Sequence, residues 1–178
     1  MRERPKTVNP RNSPNPARSP DTAQGITLRP VVLAADQDFL LQVYASTRAH
    51  EMSLVPWTDA QKQAFVRQQF EAQLAHYAMQ YPEANHGLIH KQGTPVGRLY
   101  LARGPEVLHI LDITILPARR NTGIGSHVMG ELLREAKQAK KRVTIYVESF
   151  NPSLRLFERL GFRKVEENGF QFLMEWKA

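Results

Sequence analysis

The stretch Arg119-Arg120-Asn121-Thr122-Gly123-Ile124-Gly125-Ser126 decides how this chain is read, because it joins two segments of different periodicity. Before it, Val107-Leu108-His109-Ile110-Leu111-Asp112-Ile113-Thr114-Ile115-Leu116 is rich in β-branched residues and stops at Pro117, which has no N–H for a sheet ladder. That run predicts a strand. After it, Val128, Met129, Leu132, Leu133, Ala136 and Ala139 recur at helical spacing, with Glu131, Arg134, Glu135, Lys137 and Lys140 on the other side. That pattern predicts a surface helix. A glycine turn between the two leaves backbone N–H groups unpaired at a helix N-terminus, where they and the aligned peptide dipoles favour an anion by roughly 0.3–1 kcal/mol or more. The expected guest is a phosphate or pyrophosphate.

Several nucleotide-binding folds share this arrangement, and the residues separate them. No Gly-Lys-Ser/Thr follows the glycines, so the lysine and hydroxyl that a P-loop needs for its terminal phosphates and magnesium are missing. A dinucleotide fingerprint comes closer. Gly123 and Gly125 supply two glycines and Glu148 lies near the right distance downstream, but Val128 stands in the place of the third glycine. What remains, Arg-x-x-Gly-x-Gly from Arg120 to Gly125, resembles the acyl-CoA-binding signature of the GNAT superfamily of N-acetyltransferases. A second block supports that resemblance. After the strand-like Val143-Thr144-Ile145-Tyr146-Val147-Glu148 comes Asn151-Pro152-Ser153-Leu154-Arg155-Leu156-Phe157-Glu158-Arg159-Leu160-Gly161-Phe162, similar to the superfamily's segment in which asparagine opens a short helix and Leu-Gly-Phe closes it. Local chemistry agrees: Asn151 can cap, Pro152 suits the first helical position and Gly161 supplies a left-handed stop. Together the two blocks carry the resemblance over roughly residues 95–176.

The resemblance implies an α/β fold, a mixed and mainly antiparallel sheet of six or seven strands flanked by about four helices. It implies acetyl transfer from acetyl-CoA to a primary amine by direct attack, without a covalent acyl-enzyme and without a metal. The absence of cysteine agrees, since no thiol nucleophile is available. The pyrophosphate is then held by Arg120, Asn121, Thr122, Gly123, Ile124, Gly125 and Ser126, mostly through backbone N–H groups. Asn121 replaces a glycine common in the family, which asparagine's tolerance of left-handed backbone allows. The pantetheine arm and thioester are expected beside Ile113, Ile115 and Leu116 and beside Asn151, with a backbone N–H of that strand at the developing oxyanion.

Proton transfer sets two further requirements. An alkyl amine with a pKa near ~10.4 is roughly 99.9% protonated at pH 7, so a base or water chain must expose its lone pair. Asp112 interrupts an apolar strand just before the phosphate loop and is the first candidate, with Glu148 second and Glu51 third. The leaving thiolate is usually protonated by a tyrosine in this family, but here that place holds Phe157, leaving Tyr146, Ser149, a water or an unassisted thiolate. Phe157 itself is expected to pack against the cofactor or the core. The departure also admits a second reading, a non-catalytic acyl-CoA-binding or partner-binding module on the same scaffold.

Composition bounds these expectations. A chain of 178 residues without cysteine needs no disulfides and is compatible with a reducing cytoplasm. No apolar run approaches the eighteen residues of a membrane span, and the basic N-terminus lacks the apolar core of a secretory signal. Of the net charge of +7, five Lys/Arg and two acids within residues 1–25 contribute +3. That segment holds five prolines and only Val8 as a sizeable aliphatic, so a disordered basic tail is expected over 1–25, with one domain over 26–178. The tail has no aromatic residue for base stacking, which argues against nucleic acid as a partner.

Elsewhere, Ile26 to Leu33 predicts a first strand that Pro30 confines to an edge or breaks. A helix capped by Asp36 should bury Leu40, Val43 and Tyr44. A longer helix capped by Thr58 should bury Val66, Phe70, Leu74, Tyr77 and Ala78, keep its Gln-rich face in water and end before Pro82. Between these helices His50 to Trp57 mixes acid, imidazole and large apolar groups. In the resembling family this region walls the acceptor site, making Glu51 and Trp57 acceptor candidates. Equally, Trp57 could be buried in the core. Glu51 hints at a cationic acceptor, either a small molecule or a peptide amine, and homodimers are common in the family. Hairpins are expected around Gln92-Gly93 and Asn168-Gly169. His86 and His90, roughly 13 Å apart on a strand, are too far from each other to share a metal ion without a bend.

Overall fold

The structure, a computed structural model, describes residues 25–178. The tail expected over 1–25 lies outside the described residues apart from Gly25. In chain order the elements are β1 (Ile26–Pro30), α1 (Leu33–Ser53), α2 (Asp59–Gln80), β2 (Asn85–Lys91), β3 (Thr94–Arg103), β4 (Val107–Ile115) and α3 (Ile124–Gln138). They continue with β5 (Arg142–Glu148), α4 (Leu154–Arg159), β6 (Arg163–Asn168) and β7 (Gln171–Trp176). A short 3-10 turn, Pro117–Arg119, separates β4 from the glycine loop. The seven strands form one sheet in the order β1-β2-β3-β4-β5-β7-β6, antiparallel throughout except for β4 and β5. This is the mixed, mainly antiparallel architecture expected, with four α-helices.

Alternation along the strands divides the core. One face carries Leu99, Leu101, Leu108, Ile110, Val143, Ile145 and Val147 and packs against Ile124, Val128, Met129, Leu132 and Ala136 of α3 and Phe157 of α4. The opposite face holds a smaller cluster in which Leu40 and Tyr44 of α1 meet Val66 and Phe70 of α2 over Leu88 of β2. A buried ion pair joins this second layer to the sheet. Arg98 of β3, 1% exposed, donates from Nη2 to Asp112 Oδ2 at 2.8 Å and to Gln73 Oε1 of α2 at 2.7 Å. Its guanidinium lies 5.9 Å from the ring centres of both Tyr44 and Phe70. Close β3–β4 contact requires glycine at position 97, where a Cβ would come within 2.3 Å of the Thr114 carbonyl oxygen.

Local details correct several expectations. The first strand ends at Pro30 and lies at the sheet edge, as its proline requires. The first helix starts at Leu33 rather than after Asp36. From inside the first turn, the Asp36 carboxylate reaches back to accept the Val32 N–H at 2.7 Å and pairs with Arg29. The long helix begins as read, with Thr58 and Gln61 forming a reciprocal capping box. Its stripe is shorter, however: Ala78 is exposed, whereas Gln73, assigned to the solvated face, turns inward to Arg98. The closing hairpin turns at Gly169-Phe170, one residue later than expected, because Asn168 still pairs with Gln171 and Gly169 takes φ +61°. Asn151 does not cap α4 directly; its Oδ1 accepts the Ser153 N–H at 2.9 Å and helical structure begins at Leu154.

Two predictions concern this second layer. His86 of β2 packs edge-on against Tyr100, and burial, then the nearby Arg98 charge, push its pKa down to about 4. The unfolded chain therefore binds a proton that the folded chain refuses between pH 6.5 and about 4, so stability falls across that window as pH is lowered. The expected loss is on the order of 3 kcal/mol. Urea midpoints at pH 7 and pH 4 check this, and His86→Phe should flatten the dependence; an unchanged acid slope in the variant would rule His86 out as its source. Removing one partner of the ion pair leaves a buried charge alone, so Arg98→Ala should cost about 3–5 kcal/mol. Replacing both partners, Arg98→Met with Asp112→Leu, should recover most of that loss in the same unfolding assay.

Candidate active site

The parallel pairing of β4 with β5 covers only Val107 to Ile110 against Arg142 to Ile145. Beyond Ile110 and Ile145 the two strands part: β4 continues to Ile115 along β3, and β5 continues to Glu148 along β7. A gap therefore opens between Leu111–Ile115 and Tyr146–Glu148. The Leu116 N–H donates to Val96 O of β3 at 2.9 Å, so alternation turns the main-chain groups of Ile115 and Ile113 away from β3 and toward the gap. Their side chains, meanwhile, pack on the larger core. Arg120 confirms the direction by donating from Nε to the Ile115 carbonyl at 2.9 Å, which ties the glycine loop to the open edge.

The loop itself is built for exposed amides. Asn121 adopts φ +58° and Gly123 φ +84°, the left-handed geometry that asparagine tolerates and glycine favours. The Thr122 hydroxyl donates to Arg119 O at 2.7 Å and braces the turn. Gly123 precedes α3, whose side chain Ile124 is buried while Asn121, Thr122, Gly123 and Ser126 are exposed. Among the described residues, the N–H groups of Gly123, Ile124, Gly125 and Ser126 reach no acceptor. An ideal Cβ at Gly123 would meet no heavy atom within 4 Å, so the space in front of these amides is open. Asn151, in the loop after β5, lies with its N–H bonded to Glu148 O at 2.9 Å.

The candidates for proton transfer are placed unequally. Asp112 projects to the α1/α2 face, where Oδ1 accepts from Arg98 Nε at 3.3 Å and from the Thr114 hydroxyl at 2.8 Å, and Oδ2 accepts from Arg98 Nη2. Both its oxygens are thereby committed. Glu148 and Tyr146 stand on the β5 side of the gap, with Tyr146 46% exposed. Glu51 pairs with Arg48 at 3.0 Å within α1, which extends through Ser53 and leaves only Leu54 to Thr58 as loop. Trp57 is 42% exposed and packs edge-on against Phe65 of α2 at 5.4 Å, so it is not a core residue. A cleft of about 210 Å³ between the helices is lined by Tyr44, Arg48, Glu51, Phe65, Val66 and Gln69. Phe157 is 2% exposed and packs against Phe162 at 5.4 Å; of the two positions expected for it, the structure shows the core.

One residue was passed over in the sequence. His109 sits opposite Thr144, one pair before the strands part, and its Nδ1 lies 2.8 Å from Thr144 Oγ1. Tyr81, the C-cap of α2, and Tyr146 of β5 each approach its ring at 5.9 Å. The available signal was a lone polar ring between Leu108 and Ile110, but only the strand pairing shows that it borders the opening. Nearby, the Tyr77 hydroxyl donates to Leu111 O at 3.1 Å, at the β-bulge where β3–β4 register shifts, and burial pushes that phenol up to about 12. His86 Nε2 and His90 Nδ1 are buried without partners, and among the described residues no group of three or more His, Asp or Glu side chains could hold a metal ion. No helix among the described residues is long and apolar enough to cross a membrane.

Solved structures share this architecture. PaiA N-acetyltransferase from Thermoplasma acidophilum, determined in complex with coenzyme A, superposes with a TM-score of 0.65 at 16% identity, covering 86% of this chain and 99% of that one. A GNAT family acetyltransferase from Elizabethkingia anophelis with acetyl-CoA bound gives 0.57 at 17% identity, over 86% of this chain and 99% of its own. An acetyltransferase from Thermus thermophilus gives 0.62 at 19% identity, over 86% and 97%. At these identities the likeness is one of fold. No curated protein matches the chain. The sequence profile of the Acetyltransferase (GNAT) family, by contrast, matches residues 47–162, from the C-terminal half of α1 through α4 to Phe162, and the chain belongs to that family.

Proposed function

We propose that this protein transfers the acetyl group of acetyl-CoA to a primary amine by direct attack. The observation that carries the reading is the row of unpartnered amides from Gly123 to Ser126, opening onto free space beside a sheet that has parted. Such donors fit a diphosphate, and a left-handed glycine at the entrance leaves room for one. Arg120, Asn121, Thr122, Gly123, Ile124, Gly125 and Ser126 would hold it, the Arg120 guanidinium adding charge while its Nε stays on Ile115. The edge formed by Ile113, Ile115 and Leu116, with Asn151 opposite, would take the pantetheine arm as an added strand takes a partner. Solved relatives of the same fold carry coenzyme A or acetyl-CoA. Acetyl-CoA supplies the thioester that the amine attacks and the thiolate that leaves.

The protein's own groups do the remaining work. The Ile113 N–H, directed into the gap, would stabilise negative charge developing on the thioester oxygen. The acceptor approaches from the α1/α2 face, past Trp57, Glu51 and the cleft lined by Arg48 and Phe65. Glu148 and Tyr146 border its path on β5. Asp112 orders that face through Arg98 and Thr114. A donor of this class and a cysteine-free chain both suit the cytoplasm. Because Phe157 has no proton to give, a second reading remains in play, a module that binds acyl-CoA without turning it over.

Calorimetry with coenzyme A should show binding by the wild type and a marked loss in Arg120→Glu; equal affinity in both would place the cofactor elsewhere. Gly123→Ala should cost about 1 kcal/mol of stability through its positive φ, but weaken coenzyme A by more than that because the methyl occupies the phosphate space. Release of free thiol from acetyl-CoA on addition of an amine separates the enzyme from the module, which would bind and release none.

A further inference from the structure

We propose that His109 takes the proton from the acceptor amine, an assignment that rests on the acetyl-transfer reading above. Position is the first argument. His109 pairs with Thr144 one residue before Ile110 and Ile145, the last pair before β4 and β5 part, so its ring stands at the apex of the opening. Its neighbours Leu108 and Ile110 point into the core with α3, which leaves His109 on the face from which the acceptor comes.

Orientation is the second argument. The ring is fixed by Thr144 Oγ1 at Nδ1, by Tyr81 at the C-cap of α2 and edge-on by Tyr146 of β5, with an interplanar angle of 82° to the last. Thr144 is 8% exposed, so it anchors one side of the imidazole from within the sheet. Among the described residues Nε2 has no partner. It is also absent from the buried orphan atoms, which are His86 Nε2 and His90 Nδ1, so it keeps contact with solvent. In the tautomer whose Nδ1–H donates to Thr144 Oγ1, the Nε2 lone pair faces outward. The groups against the ring are Tyr81 at the C-cap of α2 and Tyr146 and Thr144 from β5, with Ala102 of β3 its register partner, and no carboxylate, lysine or arginine is among them.

Elimination and electrostatics complete the case. Asp112 has both oxygens engaged by Arg98 and Thr114, and Glu51 is paired with Arg48, which leaves Glu148 as the rival carboxylate, at the far end of β5 and four positions beyond the Thr144 that anchors the imidazole. Burial pushes the imidazole below its ordinary value, partly offset by a hydrogen bond to the Thr144 main chain, so His109 is neutral and able to accept at pH 7. The tyrosine rings beside it also offer their faces to an incoming ammonium. In the step, Nε2 accepts one proton from R–NH3+ directly or through one water. The freed nitrogen lone pair forms the N–C bond at the thioester carbon, and the C–S bond breaks with its electron pair on sulfur. The attacking nitrogen's second proton passes to the thiolate, and the imidazolium returns its proton to solvent. The sum is amide, thiol and one proton.

The test compares acceptors that do and do not need a base. Benzylamine, spermidine and L-lysine are protonated at pH 7, whereas hydroxylamine is already neutral. His109→Gln should lower kcat/KM for whichever alkyl amine the wild type acetylates by roughly 10²–10⁴-fold. It should leave the hydroxylamine rate and the calorimetric affinity for acetyl-CoA unchanged. Equal losses for both kinds of acceptor, or no loss for either, overturn the assignment while leaving acetyl transfer intact. Thr144→Val, which keeps the imidazole, guards against a misfolded variant. In it, the His109 titration midpoint read by ¹⁵N-histidine NMR and the acid limb of kcat/KM should move together, and a midpoint that moves without the limb overturns the assignment. NMR of the wild type should show the lone pair on Nε2; finding it on Nδ1 overturns the assignment too. A wild type that binds acetyl-CoA yet acetylates none of the four probes sinks the transfer reading and His109 with it.

Discussion

Two parallel strands that pair for four residues and then separate are the constraint from which the rest of this structure follows. β4 remains bonded to β3 along its whole length and β5 to β7, so each strand keeps one satisfied edge while the facing edges lose theirs. Buried peptide groups without partners cost free energy, and a protein leaves them so only where water or a ligand completes them. The Ile115 carbonyl is already met by Arg120. That bond couples the open edge to the glycine loop, so the two halves of the proposed cofactor cradle are set by one side chain.

The two faces of the sheet are held by different forces. Under α3 and α4 lies a broad apolar core that fixes the cradle from behind, with Ile124 buried at the start of α3 and Ile113 and Ile115 packing against it. Above, α1 and α2 are joined to the sheet by a cluster of five buried side chains, Leu88 among them, and by the Arg98 guanidinium, which binds α2 through Gln73 and β4 through Asp112. A buried ion pair adds little net stability but is costly to break, so it fixes geometry more than it strengthens the fold. The acceptor side is thus held in register by a polar joint, while the cofactor side is held by packing.

Much of this was legible along the chain because the signals are local. The strand, glycine turn and helix of residues 107–139, the Thr58 capping box, the turn at Gln92-Gly93 and the left-handed Asn121 and Gly161 each depend on residues within a few positions of one another. Where the reading slipped, a distant partner intervened. Asp36 has the chemistry of a cap but works from inside the first turn while bound to Arg29. Gln73 shares the polar face of its helix with solvated glutamines and yet meets an arginine 25 residues away. The bulge near Leu111 leaves Asp112 facing that same arginine, a pairing that no spacing along β4 reveals.

The sequence by itself determined the glycine loop and the order of the elements around it, since backbone dihedral preference, capping and amphipathic period are properties of neighbouring residues. Tertiary structure alone decided where β4 leaves β5 and which polar side chains meet there. Arg98 removes Asp112 from free acceptors, Phe157 withdraws into the core and His109 comes to the mouth of the gap beside Thr144. Those outcomes depend on strand order and register, which bring together residues 14 and 35 positions apart, and no local preference encodes such distances.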